Sequence, residues 1–241
     1  MIKLKGTGFP KNETILIYFG EDKISSYFLA DRNDFEINFL VPIVPGGYKF
    51  IDIKNGALTT LARADFYVEP QTIYLSPSQG RVGDLVRAIG SGFPANSSVV
   101  INFGGKSLTA TPDSNGSFQT RFTVPPLEPG RYGVEVTGPV RVLSVFEILR
   151  PTLTLSASQV RIGEKITIEI TGARPFSPVG IFLDEQEIRP VAGSLLVGPD
   201  GSLKTELLIP ALYPRDYSLK VFKGTNSEVG QTITILPESP G

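Results

Sequence analysis

The chain has 241 residues, of which 41% are hydrophobic, and its 23 lysines and arginines nearly balance its 24 aspartates and glutamates, so the net charge is -1. A charge this close to zero excludes strong long-range attraction to phosphates, and we expect no nucleic-acid partner. The sequence contains no cysteine and no histidine, which excludes disulfides and thiolate metal sites and removes the commonest general base, so we predict a protein without catalytic residues or a cofactor.

Short runs rich in Val, Ile, Phe and Thr alternate along the chain with clusters of Gly, Pro, Asn and Asp. The 25 glycines and 20 prolines punctuate these runs at the spacing that is typical of β-sandwiches. We therefore predict an all-β protein. No run approaches the roughly 18 to 20 apolar residues that are needed to cross a bilayer, and we expect no membrane insertion in this segment.

A set of landmarks recurs about every 84 residues, which indicates an internal repeat. The landmarks are Gly6, Gly8 and Phe9 with Gly90, Gly92 and Phe93, and more loosely Gly172 and Phe176; Val41-Pro42, Val124-Pro125 and Ile209-Pro210; and Tyr48, Tyr132 and Tyr217. The repeat predicts three tandem domains, 1–69, 70–150 and 151–237, followed by a tail or linker at 238–241. We call the three ranges the first, second and third units.

The first unit departs from the repeat at its start. Counting back 84 residues from Thr72–Asp84 leads to positions before Met1, so this copy lacks a counterpart of the initial strand. A sandwich without that strand exposes backbone groups and part of its core. We expect the first unit to be either N-terminally truncated or completed by a strand from a partner.

The second unit is the most complete copy, and its strands can be placed coarsely. We predict them at Thr72–Leu75, Leu85–Ile89, Ser98–Phe103, Lys106–Thr111, Ser117–Val124, Gly130–Thr137 and Val142–Ile148. Alternation along the sixth strand predicts that Tyr132, Val134 and Val136 face the core. A tyrosine at this place after Pro and Gly is typical of a tyrosine corner, whose hydroxyl bonds to a nearby loop carbonyl, and we predict that role for all three repeat tyrosines.

Three segments of the second unit carry a resemblance to a known family. They are 75–83 (LSPSQGRVG), 90–93 (GSGF) and 100–105 (VINFGG). Together they resemble the IPT/TIG domains and related immunoglobulin-like repeats of prokaryotic cell-surface proteins. The third unit keeps the first segment as 155–163 but replaces the last one, and the first unit keeps only 17–20. The resemblance implies immunoglobulin-like sandwiches. The short Pro-containing junctions at 68–72 and 148–152 predict an elongated rod.

Acidic loop residues and glycosylation sequons are the main candidates for sites. The carboxylates of Asp31, Asp34, Asp113 and Asp200 could bind calcium, but Asp, Asn and Gly in such clusters are also what hairpin turns require. The sequons place candidate glycosylation sites at Asn12, Asn96 and Asn115. We favour hairpin turns over a metal site and predict no metal.

The functional prediction is a non-catalytic structural or adhesive part of a cell-surface or secreted protein, such as a stalk, filament or S-layer-type element. Protein partners or self-assembly are expected, through the strand-deficient first unit. The alternative is a carbohydrate-binding or accessory module of a larger extracellular enzyme, with polysaccharide as the partner. Its candidate ligand aromatics are Tyr18, Tyr27, Phe28 and Tyr67. A hydrolase would need a cleft with paired carboxylates, whereas Asp184, Glu185 and Glu187 lie in a polar turn.

Overall fold

The computed structural model describes residues 1–237, and all regular secondary structure in this range is β-strand. The predicted tail at 238–241 lies outside the described residues. Between residues 1 and 237 there is accordingly no apolar helix of the length that a membrane span requires. The prediction of an all-β protein is confirmed.

The first unit is a sandwich of six strands. These are β1 (Ile2–Thr7), β2 (Thr14–Phe19), β3 (Asp22–Phe28), β4 (Asp34–Phe39), β5 (Gly47–Lys54) and β6 (Thr60–Val68). β1 pairs antiparallel with β4 in a two-stranded sheet, and the other sheet has the order β3-β2-β5-β6. Ile15, Ile17, Ile51 and Ile53 are buried between the sheets.

The second unit contains eight strands. These are β7 (Thr72–Ser76), β8 (Gln79–Gly80), β9 (Leu85–Ser91), β10 (Val99–Phe103), β11 (Lys106–Ala110), β12 (Phe118–Thr123), β13 (Gly130–Thr137) and β14 (Val142–Ile148). One sheet has the order β12-β9-β7 and the other the order β11-β10-β13-β14-β8. Val134 and Val136 are fully buried between them, as the alternation predicts.

The third unit repeats this plan with nine strands. These are β15 (Thr152–Leu155), β16 (Gln159–Val160), β17 (Lys165–Thr171), β18 (Ile181–Leu183), β19 (Gln186–Glu187), β20 (Ala192–Gly193), β21 (Leu203–Leu208), β22 (Arg215–Val221) and β23 (Val229–Ile235). The sheet orders are β15-β17-β21-β20 and β16-β23-β22-β18-β19. Its core is built mainly from isoleucine, leucine and valine.

The initial strand of the second and third units is shared between the two sheets. β7 pairs antiparallel with β9, and β8 then crosses to the other sheet and runs parallel to β14. β15 and β16 do the same with β17 and β23. Two antiparallel sheets packed face to face in this strand order form an immunoglobulin-like sandwich. The first unit has no counterpart of β7 or β8 among the described residues.

Two of the three predicted tyrosine corners are present. The hydroxyl of Tyr132 donates to the carbonyl oxygen of Glu128 at 2.8 Å, and that of Tyr217 donates to the carbonyl oxygen of Tyr213 at 3.1 Å. For Tyr48 the prediction is wrong, because the alternation that turns Ile51 and Ile53 inward turns Tyr48 outward, where 76% of it is exposed.

In the third unit the structural counterpart of Phe93 differs from the loose repeat landmark Phe176. The backbone N–H of Phe93 donates to the carbonyl of Gly116, and the residue that makes the equivalent bond, to Gly201, is Ala173 rather than Phe176. Ala173 is buried, whereas Phe176 is exposed with a φ of 61°. The small Ala173 fills this place because isoleucine and leucine side chains fill the surrounding core.

Candidate functional site

An aromatic face covers the outer side of the four-stranded sheet in the first unit. Alternation along β5 places Ile51 and Ile53 in the core, so Tyr48, Phe50 and Asp52 lie on the other side of the sheet. The residues of this aromatic face are Tyr18, Tyr48, Phe50, Asp52, Lys54, Arg63 and Tyr67. The face lies on regular strands, which hold its side chains more firmly than loops would.

Tyr48 and Tyr67 form the exposed end of the aromatic face. They are directly opposite each other on β5 and β6, their ring centroids are 5.1 Å apart, and the ring planes meet at 64°. This edge-to-face arrangement is a favourable one for aromatic pairs. About half of Tyr67 (47%) remains exposed beside the more exposed Tyr48. The pair therefore offers ring surface and two hydroxyl groups to a ligand.

Asp52 and Arg63 form the polar centre of the face. Arg63 donates from Nε and Nη2 to the two carboxylate oxygens of Asp52 at 2.6 and 2.8 Å. These hydrogen bonds hold the pKa of Asp52 below its usual range, against the opposing effect of burial. The guanidinium of Arg63 also lies 4.5 Å from the centre of the Phe50 ring. The pair thus anchors a cation over an aromatic ring.

Tyr18 and Lys54 extend the same alternation of rings and charges. The Lys54 ammonium lies 4.6 Å from the centre of the Tyr18 ring. Tyr18 is adjacent to Asp52 across β2 and β5. The aromatic face can therefore stack rings against an apolar surface of a ligand and hydrogen-bond its polar groups.

The predicted ligand aromatics divide between the two sides of the sheet. Tyr18 and Tyr67 belong to the aromatic face, and Phe28 is exposed on the same side at the edge strand β3. Tyr27 points the other way and is half-buried against the core, where the centre of its ring lies 6.3 Å from that of Phe35. Tyr27 and Phe28 therefore cannot form one platform.

Sequence reasoning missed two aromatic members of the aromatic face and its three charged members. Tyr48 was assigned to a tyrosine corner, and Phe50 was not singled out. The outward position of both residues follows from the alternation of β5 once Ile51 and Ile53 are taken as the inward residues. The choice of Ile51 and Ile53 as core residues was therefore the sequence signal that could have identified Tyr48 and Phe50.

The predicted calcium candidates lie in surface turns. The Oδ1 atom of Asp113 accepts hydrogen bonds from the backbone N–H groups of Asn115 and Ser117 at 2.8 and 3.0 Å. Asp200 accepts bonds from the hydroxyl and backbone N–H of Ser202, which lower its pKa. These are the self-bonding turns that such residues favour.

The other two candidates, Asp31 and Asp34, lie in the loop before β4 and at its first residue. Asp34 is bound by Arg32 at 3.3 Å, and Asp31 is on the surface. Across residues 1–237 no three His, Cys, Asp or Glu side chains converge in a way that could hold a metal ion. That these residues bind no metal stays a prediction.

Two of the three sequon asparagines occupy one repeated turn. Asn12 and Asn96 are exposed and have left-handed φ values of 58° and 57°, and Phe176 adopts φ 61° at the same place in the third unit. Asparagine tolerates this conformation better than most residues, so the turn itself explains its presence. Asn115 lies in the exposed turn that Asp113 stabilises. Glycosylation stays a prediction at all three.

The acidic turn of the third unit is committed to structural bonds. Asp184 accepts from the backbone N–H of Ser218 at 2.9 Å and from Arg215 at 2.8 Å, which lower its pKa in that order. Glu185 pairs with Lys223. These bonds commit both carboxylates to partners within the third unit.

Direct contacts join consecutive units. At the first junction, a methyl group added at Gly92 would lie 2.8 Å from the carbonyl oxygen of Pro70. At the second, Arg81 Nε donates to the carbonyl of Arg150 at 2.9 Å, and Ser227 donates to Glu128 at 3.0 Å. Ser227 and Glu128 thus hold the third unit against the second, whereas Pro70 and Arg150 are connecting residues that pack against the second unit.

No protein-family model matches the sequence, and no curated protein is significantly similar to it. Solved structures do resemble the fold. The Yersinia pseudotuberculosis adhesin InvE is 11% identical with a TM-score of 0.36, and the match covers 68% of this chain and 58% of the adhesin. A Bacteroides ovatus protein of a mixed-linkage glucan utilization locus, solved with a mixed-linkage heptasaccharide, is 13% identical with a TM-score of 0.30, over 97% of this chain and 64% of that one.

A tetra-tandem repeat from the extending region of a large adhesion protein is 14% identical with a TM-score of 0.31, over 98% of this chain and 70% of that one. The chain thus spans 58% and 64% of the length of the first two proteins. The strand order of the units itself gives the immunoglobulin-like fold. Identities and TM-scores this low say nothing about what the repeats bind, and the narrower IPT/TIG assignment stays a prediction.

Proposed function

We propose that this chain is a non-catalytic structural and adhesive part of a cell-surface or secreted protein. In this proposal the successive sandwiches hold a binding surface at a set distance from its anchor. The observation that supports it best is the direct contact between the second and third units, together with the short connections at both junctions. Residues 69–71 and 149–151 are the whole connection between the flanking strands.

The second junction illustrates why such a spacer would be stiff. Arg81 and Glu128 lie on the second unit and contact Arg150 and Ser227, while Arg174 lies 3.7 Å from Glu128. Contacts on both sides of a three-residue connection oppose bending in more than one direction. A stiff series of sandwiches suits a stalk or filament.

Small-angle X-ray scattering on the full chain tests the spacer. We expect an extended particle, and we expect the combined Arg81→Ala and Glu128→Ala variant to broaden its distribution of shapes without lowering the β-strand content. A compact particle, or a variant that scatters like the wild type, contradicts a contact-stiffened rod. Protease treatment of intact cells of the source organism tests location, and protection of the protein inside the cells would contradict it.

The aromatic face favours a second candidate function, the binding of a polysaccharide. Sugar rings present C–H groups that stack on aromatic rings, together with hydroxyl groups that hydrogen-bond to charged side chains. The aromatic face supplies exposed rings at Tyr48, Phe50 and Tyr67 and a fixed carboxylate–guanidinium pair. The exposed sides of the corresponding strands in the second unit carry Arg131, Gly133 and Glu135 instead.

Affinity electrophoresis on soluble polysaccharides tests this candidate. We expect the Tyr48→Ala and Tyr67→Ala double variant to lose any retention that the wild type shows. Tyr74→Ala is the matched control, because Tyr74 is a strand tyrosine of the second unit with 65% exposure. Loss of retention in both variants, or no retention of the wild type on any polysaccharide, contradicts binding at the aromatic face.

A further inference from the structure

Two arginines lie directly opposite each other on the outer side of the β12-β9-β7 sheet in the second unit. Arg87 on β9 is in register with Arg121 on β12, and both side chains are exposed. The alternation that buries Val86 and Ala88 turns both arginines outward. Like charges at directly opposite positions destabilise a sheet. None of the other outward residues on β7, β9 and β12 is an aspartate or glutamate, and no ion pair within residues 1–237 includes either arginine.

The other two units pair the charges on the corresponding side of their sheets. In the third unit Glu206 takes the place of Arg121, because it lies opposite Thr167 on β17 as Arg121 lies opposite Arg87 on β9. The ion pairs on this side are Lys204–Glu169 and Lys165–Glu206 in the third unit, and Lys3–Glu36 and Lys5–Glu36 in the first. Of the three described units, the second alone therefore carries positive charge on this side without a counter-charge.

An apolar cleft opens next to Arg121, between the edge strands β11 and β12. Its volume is about 220 Å³. The lining combines apolar side chains with two exposed cations and contains no acidic residue; its members include Ile101, Phe103, Leu108, Phe122, Lys106 and Arg121. The cleft thus adds an apolar cavity to the positive charge of the arginine pair.

The sequence of the second unit itself keeps this cleft open. In the third unit β20 pairs with β21 at the corresponding edge, and Ile188 and Leu207, the counterparts of Leu108 and Phe122, are buried. In the second unit residues 111–117 join β11 to β12 without such a strand, and Leu108 and Phe122 stay half-buried. The opening is therefore set by an internal connection of the unit.

The charges and the cleft together favour an acidic polypeptide as the partner. A guanidinium binds a carboxylate through two parallel hydrogen bonds, and directly opposite Cβ atoms are about 4.5 to 5.5 Å apart, so neighbouring carboxylates of one segment can reach both Arg87 and Arg121. The cleft is smaller than the roughly 300 to 1,000 Å³ of small-molecule pockets, and it suits one apolar side chain. An acidic polysaccharide supplies carboxylates but no such side chain.

We propose that Arg87, Arg121 and the cleft between β11 and β12 form a docking site for an acidic segment of a partner protein, which places carboxylates on the two arginines and one apolar side chain in the cleft. Burial of that side chain supplies affinity, and the arginine pair selects acidic partners. The proposal is independent of the spacer role and of polysaccharide binding at the aromatic face, because it follows from the second unit alone.

Nuclear magnetic resonance on the full chain tests this site with a defined set of peptides. The probes are four heptapeptides, each with a central leucine, isoleucine, valine or phenylalanine between three acidic residues on either side. We expect at least one of them to shift the backbone amides of β9, β11 and β12 at concentrations up to about 1 mM, which detects even a weak complex. The same peptide with serine at its centre should bind about tenfold more weakly or worse, because it leaves the cleft unfilled.

Substitution of the arginines tests the source of the attraction. Arg87→Gln combined with Arg121→Gln should weaken binding of the same peptide by about tenfold or more, because hydrogen bonds between charged groups are lost. The matched control is Arg131→Gln combined with Arg189→Gln, which removes two exposed arginines outside the site and changes the net charge equally. Equal weakening by the two double variants shows non-specific attraction and overturns the proposal. Thermal melting confirms that the first variant is folded, and we expect it to melt no lower than the wild type, since it loses a like-charge pair.

The remaining outcomes also decide against the site. Equal binding of the peptides with apolar and serine centres overturns the role of the cleft. Polygalacturonate is the competing probe, and shifts in β9 and β12 with this acidic polysaccharide but with none of the four peptides overturn the proposal in favour of a polysaccharide. No shift with either kind of probe overturns it as well.

Discussion

Arg63 holds both carboxylate oxygens of Asp52 with a bidentate pair of hydrogen bonds, and the Asp52 side chain is buried although it lies on the outer side of its sheet. Asp52 is covered there by its neighbours on β2, β5 and β6. A buried carboxylate that loses its partner retains the cost of having left water. The pair therefore fixes the centre of the aromatic face.

Replacement of Arg63 by alanine should destabilise the first unit, because it leaves the Asp52 carboxylate buried without its two donors. We expect the melting transition of this unit to fall by roughly 4 to 8 °C, as measured by differential scanning calorimetry at neutral pH. Arg32→Ala is the control, since the Arg32–Asp34 pair is exposed on both sides. Exposed pairs contribute little, so equal losses in the two variants would contradict this account.

Glu36 should remain ionised to unusually low pH. Hydrogen bonds from Lys3 and then Lys5 lower its pKa to about 2, whereas glutamate in an unfolded chain titrates near about 4.3. The pKa of Glu36 is lower in the folded chain than in the unfolded chain. Its contribution to stability is therefore complete at pH values above the unfolded pKa and is lost as the pH falls toward 2.

Carbon-detected NMR titration of the Glu36 carboxyl checks this value. We expect the Lys3→Ala variant to raise the pKa, and added salt to do the same, since the groups are exposed and salt screens them. A wild-type pKa near that of an unfolded chain at low salt would show that the lysines of β1 do not bind Glu36 in solution.

The repeat made most of the architecture predictable. Turn glycines and prolines recur in one register, so each predicted strand of the second unit overlaps an observed one, and Val134 and Val136 face the core as expected. The two-residue strand β8 was missed, since a strand of that length has no periodicity to detect.

The aromatic face was only partly predictable. A strand such as β5, which carries apolar residues on both sides, does not reveal which side is buried, and a shift of one residue exchanges the two. Aligning Tyr48 with Tyr132 is wrong by one residue, so it assigned an exposed side chain to a half-buried tyrosine corner. The burial of Asp52 depends on neighbours from two other strands and on Arg63, and no local pattern contains that information.

Removal of the corner hydroxyls should have a small and specific cost. Tyr132→Phe and Tyr217→Phe each lose one hydrogen bond to a loop carbonyl, which typically contributes about 0.5 to 1.5 kcal/mol. Urea unfolding monitored for each unit measures the loss. Tyr48→Phe is the matched control and should leave the stability of the first unit unchanged. A cost for Tyr48→Phe as large as for the corner variants would mean that the outward position of Tyr48 is incorrect.

A methyl group at Gly92 should disturb the junction between the first and second units. Gly92 has a φ of 78°, and a Cβ atom there would lie 2.8 Å from the carbonyl oxygen of Pro70, which is backbone and cannot move aside cheaply. Gly83→Ala is the matched control, because Gly83 has a φ of 88° but open space around it. Both variants carry the conformational strain of a left-handed alanine, of order 1 to 3 kcal/mol, and only Gly92→Ala also displaces residues 69–71.

We expect limited proteolysis to cut this connection faster in Gly92→Ala than in Gly83→Ala, while the β-strand content of both stays that of the wild type. Equal cleavage rates would show that the effect of Gly92→Ala is strain within the second unit and that Pro70 does not set the approach of the two units.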